Sequence, residues 1–454
     1  MITLQVLNLQ SLPVFLKLNL YTHNKMEMFN LLLLASNCYN IIPGIDKLVS
    51  GYDITKFDIN GVDGQWEGSR YPLLSITCDK NYQFTNRITN KTYTVPDQIP
   101  GPESIKLNGG ILSNYSSYSI RTYNDLTSHF GINIGLDLFF SMISASASFN
   151  FNYKLVLEQK MFASNAQSLL SAYTMELVPL YNLKLSYLAQ IYFDKMESDY
   201  PEFNLFTYDY YMKGIDYFGT HGANSFTGGA IYSQSVSTYN LALSSLSQAD
   251  IAINLEFNLL NLIDISGGGS GTIRTVSKVF TSLSKIVLNC LGGSGDCPSS
   301  AVERKQWIID SFNNPWPVKL QFFEVSELLP AKIKTSYKNA VVNYLVQSYL
   351  TNVMKPFYQI ATKVNITISP CAINPVYNRF KKDIETGLST VENYLNWKIF
   401  NLVEITLFAV QFNKQAVIIT DYLRFISHNC DKCDWKIMQI GNCNTTYSTT
   451  LLTY

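Results

Sequence analysis

Residues 210 to 221 read YYMKGIDYFGTH: Tyr211, six intervening residues, then Phe218-Gly219-Thr220-His221. His221 sits in no metalloprotease helix motif and beside no elbow serine, so by itself it reads as a hydrogen-bonded structural histidine and is given no chemistry. Gly228-Gly229 follow shortly, and Gly292-Gly293 come later in the chain. As isolated features these are turn or bulge glycines. They are also what a strongly bent sheet needs where its curvature changes, because glycine adopts backbone angles closed to other residues.

Two stretches flank this centre with a period of two. In the first, Ile143, Ala145, Ala147, Phe149, Phe151, Tyr153, Leu155 and Leu157 alternate with Ser144, Ser146, Ser148, Asn150, Asn152, Lys154, Val156 and Glu158. In the second, Ile251, Ile253, Leu255, Phe257 and Leu259 alternate with Ala252, Asn254, Glu256 and Asn258. A period of two sends successive side chains to opposite faces of a strand. A transmembrane β-strand needs about 9–11 such residues, with lipid on one face and an aqueous lumen on the other. The first stretch is long enough, and the second becomes so when continued through Leu260 to Ile265. The competing reading is a half-buried strand of a soluble sheet.

The 454-residue chain is long enough for roughly two or three domains. Lys and Arg number 34, Asp and Glu number 34, and only 15% of residues are charged, against roughly 25% in ordinary soluble domains. A zero net charge with no basic cluster excludes nucleic acid as an expected partner. The glycine clusters from Gly267 to Gly271 and from Gly292 to Gly295 lack the lysine and hydroxyl residue of a phosphate loop, and no EF-hand spacing occurs. The chain is therefore expected not to be an enzyme and to use no cofactor.

The spacing from Tyr211 to Phe218-Gly219-Thr220-His221 resembles the signature of the membrane attack complex/perforin (MACPF) family. One departure is Gly222, where the family places another aromatic residue. The surroundings occur in the family's order. Gly51-Tyr52-Asp53-Ile54 looks like the glycine-led strand near the start of perforin-like domains, and Gly135-Leu136-Asp137 precedes the first alternating stretch. Trp307, Pro315, the run from Val318 to Leu329 and a final helix from about Ser336 to Leu345 follow Gly292-Gly293. The resemblance covers roughly residues 50 to 350, leaving 351–454 as a C-terminal accessory region.

The resemblance implies an α+β fold: a bent, twisted four-stranded antiparallel sheet flanked by two helical clusters that refold into amphipathic hairpins. These clusters would lie within about Ser141 to Val178 and Ser235 to Leu288. It further implies a ring-shaped homo-oligomer on a lipid membrane, each subunit inserting two hairpins into a β-barrel pore. Gly228, Gly229, Gly292 and Gly293 would be the hinges, and the odd-numbered residues of both alternating stretches would face lipid. The alternative is a non-lytic adhesion or signalling protein of the same fold. The uncharged lipid-facing sets favour the pore former, because a Lys or Arg there at mid-bilayer costs about 2–4 kcal/mol. In the family the C-terminal region often selects the target membrane, which makes 351–454 a candidate recognition region by analogy. Within it, Ile384, Leu388, Val391, Leu395, Ile399 and Leu402 recur at helical spacing, interrupted by Gly387, and read first as a helix packed on the domain.

Residues 1–37 are apolar and contain the run FNLLLLAS from Phe29 to Ser36. The run is too short to cross a bilayer and fits a secretory h-region with cleavage near Cys38 and a start at Met26 or Met28; the competing reading is an extension before a buried strand. Asn90, Asn114, Asn365 and Asn444 match glycosylation sequons, in line with a secreted or secretory-vesicle protein. The cysteines number eight. If Cys38 leaves with a leader, an odd cysteine remains. Cys290 and Cys297 bracket a glycine-rich turn and are the best local disulfide pair. His428, Cys430, Cys433 and Cys443 have the donor types for zinc, but a secreted chain favours disulfides, so no metal site is expected.

Overall fold

A computed structural model describes residues 38–56, 68–108, 112–120, 161–196, 205–239, 284–298, 301–363, 375–397, 400–401, 403–412 and 414–416. The expected leader, both alternating stretches, Asn365, Asn444 and the C-terminal histidine and cysteine set lie outside the described residues.

Two strands organise the molecule: β7 (Met161–Glu176) and β8 (His221–Tyr239), antiparallel from Met161 opposite Tyr239 down to Glu176 opposite Ser225. A strand has only two edges, so every other pairing must fit on their outer sides. On β8 that outer edge goes to β9 (Ser284–Leu291) from Ile231 to Thr238, and to β10 (Trp316–Glu324) from His221 to Gly229. On β7 it goes to β6 (Leu112–Ile120) from Ala163 to Leu170, and to the short β5 (Lys106–Leu107) at Tyr173 and Thr174. The upper sheet is therefore β6-β7-β8-β9, the expected four antiparallel strands. Below Ser225, β1 (Ser50–Tyr52) takes the place of β7 against Gly222 and His221, and β2 (Ser69–Pro72) pairs outside it.

The described ends of the two windows expected to be helical clusters are strand. Residues 161–176 belong to β7, 235–239 to β8 and 284–288 to β9. Each of these segments has a hydrogen-bonded neighbour in register, and that ladder satisfies the backbone donors and acceptors that a helix would have to satisfy internally.

The lower sheet is covered by chain from both ends of the domain. The α1 helix (Ile45–Val49) is buried through Ile45, Leu48 and Val49, and the Tyr173 hydroxyl donates to Pro43 O at 2.7 Å. A Cys38–Cys78 disulfide fastens this segment next to the β3 (Tyr82–Asn86) and β4 (Lys91–Val95) hairpin, so Cys38 is part of the domain and the odd-cysteine arithmetic does not apply. The remaining helices of this part of the chain are α2 (Tyr187–Asp194), α3 (Leu205–Phe218), which packs on α2, β1 and β2, and, after β9, α4 (Ala301–Asp310). The Ser186 hydroxyl caps α2 by accepting from Ala189 N at 3.2 Å and itself donates to Pro72 O at 2.7 Å. The largest fully buried side chains are aromatic: Tyr52, Tyr173, Tyr211, Tyr337, Tyr358, Phe193, Phe218 and Phe226.

The α5 helix (Ala331–Tyr349) continues without interruption through a π turn at Leu350–Met354 into α6 (Lys355–Lys363). The boundary expected near residue 350 thus falls inside one helical rod. α7 (Pro375–Leu395) packs back on α6: Ile384 and Val391 are buried, and Leu388 and Leu395 lie against the core, as the helical spacing predicts. Phe412 meets Tyr349, Phe357 and Tyr358 with ring centroids 6.3, 5.4 and 5.6 Å apart. Gly387 has a packing reason, since a Cβ there would run into the buried Tyr358 ring, with its hydroxyl oxygen 2.6 Å away. Gly387→Ala, worth about 1 kcal/mol of stabilisation in an exposed helix, is expected to destabilise the protein by about 1–3 kcal/mol through overpacking, read as a lower midpoint in urea unfolding.

Candidate functional site

The Gly-Thr-His run is a hub of hydrogen bonds. Tyr211 and Phe218 are buried on α3, and Tyr337 of α5 stands 6.2 Å from Tyr211 by ring centroid and donates its hydroxyl to Gly219 O at 2.8 Å. Gly219, at φ 80°, ends α3 in the left-handed conformation, its N–H returned to Ile215 O at 2.8 Å. Thr220 donates from both its N–H (2.7 Å) and its hydroxyl (3.1 Å) to Tyr52 O; its hydroxyl accepts from Ile54 N at 3.2 Å, and its carbonyl accepts from Val325 N at 3.1 Å. Three residues therefore join α3, the β1 strand, the end of β10 and α5.

With its proton committed to Tyr52, the Thr220 hydroxyl can only accept from His221 Nδ1, 2.9 Å away, which assigns the proton to Nδ1 in the neutral imidazole. Burial is the main cause that lowers the His221 pKa to about 4, against the opposing pull of Glu324 and Asp53. His221 is thus a neutral structural donor at physiological pH. Where the sequence departs from the family at Gly222, the register partner Phe323 fills the space: a Cβ on Gly222 would stand 2.9 Å from two carbons of that ring.

Beside the hub lies a charge node that the sequence did not disclose. The Asp53 carboxylate is fully buried and accepts from Arg70 Nη2 at 2.7 Å, the Tyr344 hydroxyl at 2.6 Å, the Thr55 hydroxyl at 2.7 Å and Thr55 N at 3.1 Å. Arg70 also comes within 4.0 Å of Asp216 on α3. Burial, then the Asp53 charge, raises the Tyr344 pKa, so its hydroxyl stays protonated and donates. The node ties β1, β2, α3 and α5 together around the same hub. Gly51-Tyr52-Asp53-Ile54 was visible as a motif, but Arg70 and Tyr344 are 17 and 291 residues away from Asp53, and neither sits in a local pattern.

The expected hinge glycines converge on one level of the sheet. Gly229 is where β10 leaves β8, and Ser171↔Gly229 and Tyr173↔Gly228 bracket a bulge at Ala172 in β7. A second irregularity lies opposite, between Pro317 and Lys319 in β10. A bulge bends its strand and raises its twist, so bulges on both flanks of β8 at one level make a bend. A Cβ on Gly229 would collide with the Leu170 carbonyl of β7 and lie 3.2 Å from Ser171 Cα. Gly292 and Gly293, at φ 83° and 65°, turn the chain away directly after β9; a Cβ on Gly292 would be 2.5 Å from Gly229 O and 3.1 Å from Trp316 N. Cys290 and Cys297 are joined by a disulfide around this turn.

A family model described as MAC/Perforin domain matches residues 41–352. The chain belongs to the MAC/Perforin (MACPF) family. Among known proteins it is similar to the perivitellin-2 67 kDa subunits of Pomacea canaliculata and Pomacea maculata, each 23% identical over 334 residues that cover 71% of this chain and 56% of the relative. It thus spans a little over half the length of those relatives. Solved structures with a similar fold include GNIP1Aa from Chromobacterium piscinae (14% identity, TM-score 0.48, 68% of this chain and 57% of that one). Another is a putative cell invasion protein with a MAC/Perforin domain from Bacteroides thetaiotaomicron (12% identity, TM-score 0.38, 68% and 64%).

In this MACPF chain the residues expected to insert lie outside the described residues, but the strands leading to them are in register. Ile120 stands opposite Ala163, Met161 opposite Tyr239, and Thr238 opposite Ser284. Segments 121–160 and 240–283 therefore leave and re-enter the sheet at the same end, away from the hub. Of the sequons, Asn90 is exposed in the β3–β4 turn, and Asn114 lies in β6 opposite Leu169.

Two outcomes follow for stability. An unfolded histidine titrates near 6.5, so between that pH and about 4 the unfolded chain binds the proton that His221 refuses when folded. Stability is present above the unfolded value and lost on acidification, by about 3 kcal/mol across that window. Urea midpoints measured from pH 7 to 4.5 are expected to fall, with a shallower fall in His221→Gln. Gly229→Ala, facing rigid backbone, is expected to cost at least about 3 kcal/mol. Gly295→Ala, with nothing within 4 Å, pays only the left-handed backbone term of about 1–2 kcal/mol.

Proposed function

We propose that this MACPF chain is a secreted pore-forming protein that assembles into rings on a target membrane, each subunit donating two amphipathic β-hairpins to one barrel. The observation that carries the reading is the common exit of segments 121–160 and 240–283 from one end of the four-stranded sheet, combined with the alternation each segment contains. Extension of both segments as strands continues β6, β7, β8 and β9 along directions the sheet already sets. The residues from Ile143 to Leu157 and from Ile251 to Leu259 at odd positions form the lipid face, and Ser, Asn, Lys154, Glu158 and Glu256 face the lumen.

A single copy cannot complete this step. Unpaired N–H and C=O groups in hydrocarbon cost several kcal/mol each, so the four new strands need neighbours on both sides until the barrel closes. A head-to-tail interface that closes on itself supplies those neighbours. Secretion is supported by the two disulfides among the described residues, which form in oxidising compartments, and by the exposed sequon at Asn90.

Dye release from vesicles, with negative-stain imaging of the same sample, tests the reading. The wild-type chain is expected to release dye and show rings. Phe149→Asp and Phe257→Asp are expected to form rings and release none, because a charge is placed on the lipid face; full release by both overturns the hairpin assignment. Rings without release by the wild-type chain would instead select the non-lytic adhesion or signalling role.

A further inference from the structure

The lower end of β9 is held by more than sheet pairing. Trp307 Nε1 of α4 donates to Gly292 O at 3.1 Å, Gly293 N donates to Asn314 O at 2.9 Å, and Asn314 Nδ2 donates to Gly293 O at 2.8 Å. Asn313 Oδ1 accepts from the Tyr93 hydroxyl at 2.9 Å, which fastens the same loop to the β3–β4 hairpin. Cys290 is the register partner of Tyr232 and the penultimate residue of β9, and its bond to Cys297 closes the turn between them. β9 cannot lengthen along β8, because β10 begins where it stops. The disulfide ties the end of β9 to Cys297, four residues before α4, and so shortens the tether between the strand and that helix. Cys290 is buried, whereas Cys297 is half-buried beside the exposed residues 294–296.

We propose that the Cys290–Cys297 disulfide is a redox-releasable pin beside the sheet bend, opened by an external dithiol, and that its opening frees β9 and α4 to part. The consequence for insertion rests on the pore-forming reading above; the release of β9 does not. A thiolate of the dithiol attacks Cys297 Sγ, the S–S bond breaks, and Cys290 leaves as a thiolate that takes up a proton. The second thiol of the reductant then attacks the mixed disulfide and releases Cys297 as a thiol. In total two electrons and two protons pass from the dithiol to the cysteine pair, and the dithiol becomes a cyclic disulfide. Bending at Gly228, Gly229 and Ala172 is the motion that the pin opposes, because straightening β8 through this level must shift β9 against β10.

The test is hydrogen exchange on the full chain in solution. In Cys290→Ser/Cys297→Ser, amides in residues 284–295 and 301–310 are expected to exchange at least tenfold faster than in the wild type, with 205–227 unchanged. Dithiothreitol acting on a Cys38→Ser/Cys78→Ser background should reproduce the effect should the first variant fail to fold, and Trp307→Phe should give a smaller change of the same sign. Unchanged exchange at 284–295 on reduction overturns the pin. Dye release from phosphatidylcholine–phosphatidylserine vesicles then reads the consequence: the reduced form is expected to shorten the half-time at least threefold. Equal half-times despite faster exchange overturn the coupling to insertion. No release by either form counts against the pore-forming reading, while exchange still decides the pin.

Discussion

A β-strand offers two edges and no more, and this chain is built around two strands that each use one edge on the other. The outer edge of β8 passes from β10 to β9 between Gly229 and Ile231, and the outer edge of β7 passes from β5 to β6 between Tyr173 and Leu170. Because both handovers fall at one level, the ladder is interrupted there on both flanks at once. The bend, the bulge at Ala172, the close backbone approach at Gly229 and the turn at Gly292-Gly293 all follow from fitting the flanking strands into a single break.

Above the break the sheet is a plain four-stranded ladder. Below it, the same two strands are surrounded by a packed body with the Gly219-Thr220-His221 hub and the Asp53 node at its centre. The division has a physical basis. A fully buried carboxylate costs several kcal/mol unless its lone pairs are satisfied, and Asp53 meets that cost with Arg70 of β2, Tyr344 of α5 and Thr55 of its own turn. Loss of Arg70 would leave a buried charge without its close counter-charge, while loss of either hydroxyl would leave a buried lone pair unsatisfied, so the node couples the elements that meet there.

The legible parts of the structure were those with local signals. The glycine pairs, the Tyr211 to His221 spacing, the Cys290–Cys297 turn and the stripe through Ile384 and Val391 can each be read from neighbouring residues. Arg70, Tyr337 and Tyr344 could not, because each acts on a backbone or carboxylate oxygen distant in sequence and none lies in a pattern of its own. The expected windows of the helical clusters began and ended too generously, since Ser- and Thr-rich residues such as those from Ser233 to Tyr239 carry little apolar period, and the register with β7 and β9 decides their state. Gly222 shows a related limit: the aromatic ring missing from its own position arrives from Phe323 on the neighbouring strand.

The Tyr344 hydroxyl and the Asp53 carboxylate, 291 residues apart in the chain, close the lower body from its two ends. A ribosome delivers Asp53 early, then segments 121–160 and 240–283, and only afterwards α5 with Tyr337 and Tyr344. The two alternating stretches are therefore synthesised before the lower body can be completed. Contacts of such long sequence separation form slowly and leave apolar surface exposed meanwhile. Until α5 is made, Asp53 lacks its Tyr344 partner and the lower body cannot close, so the early part of the chain waits on the late part.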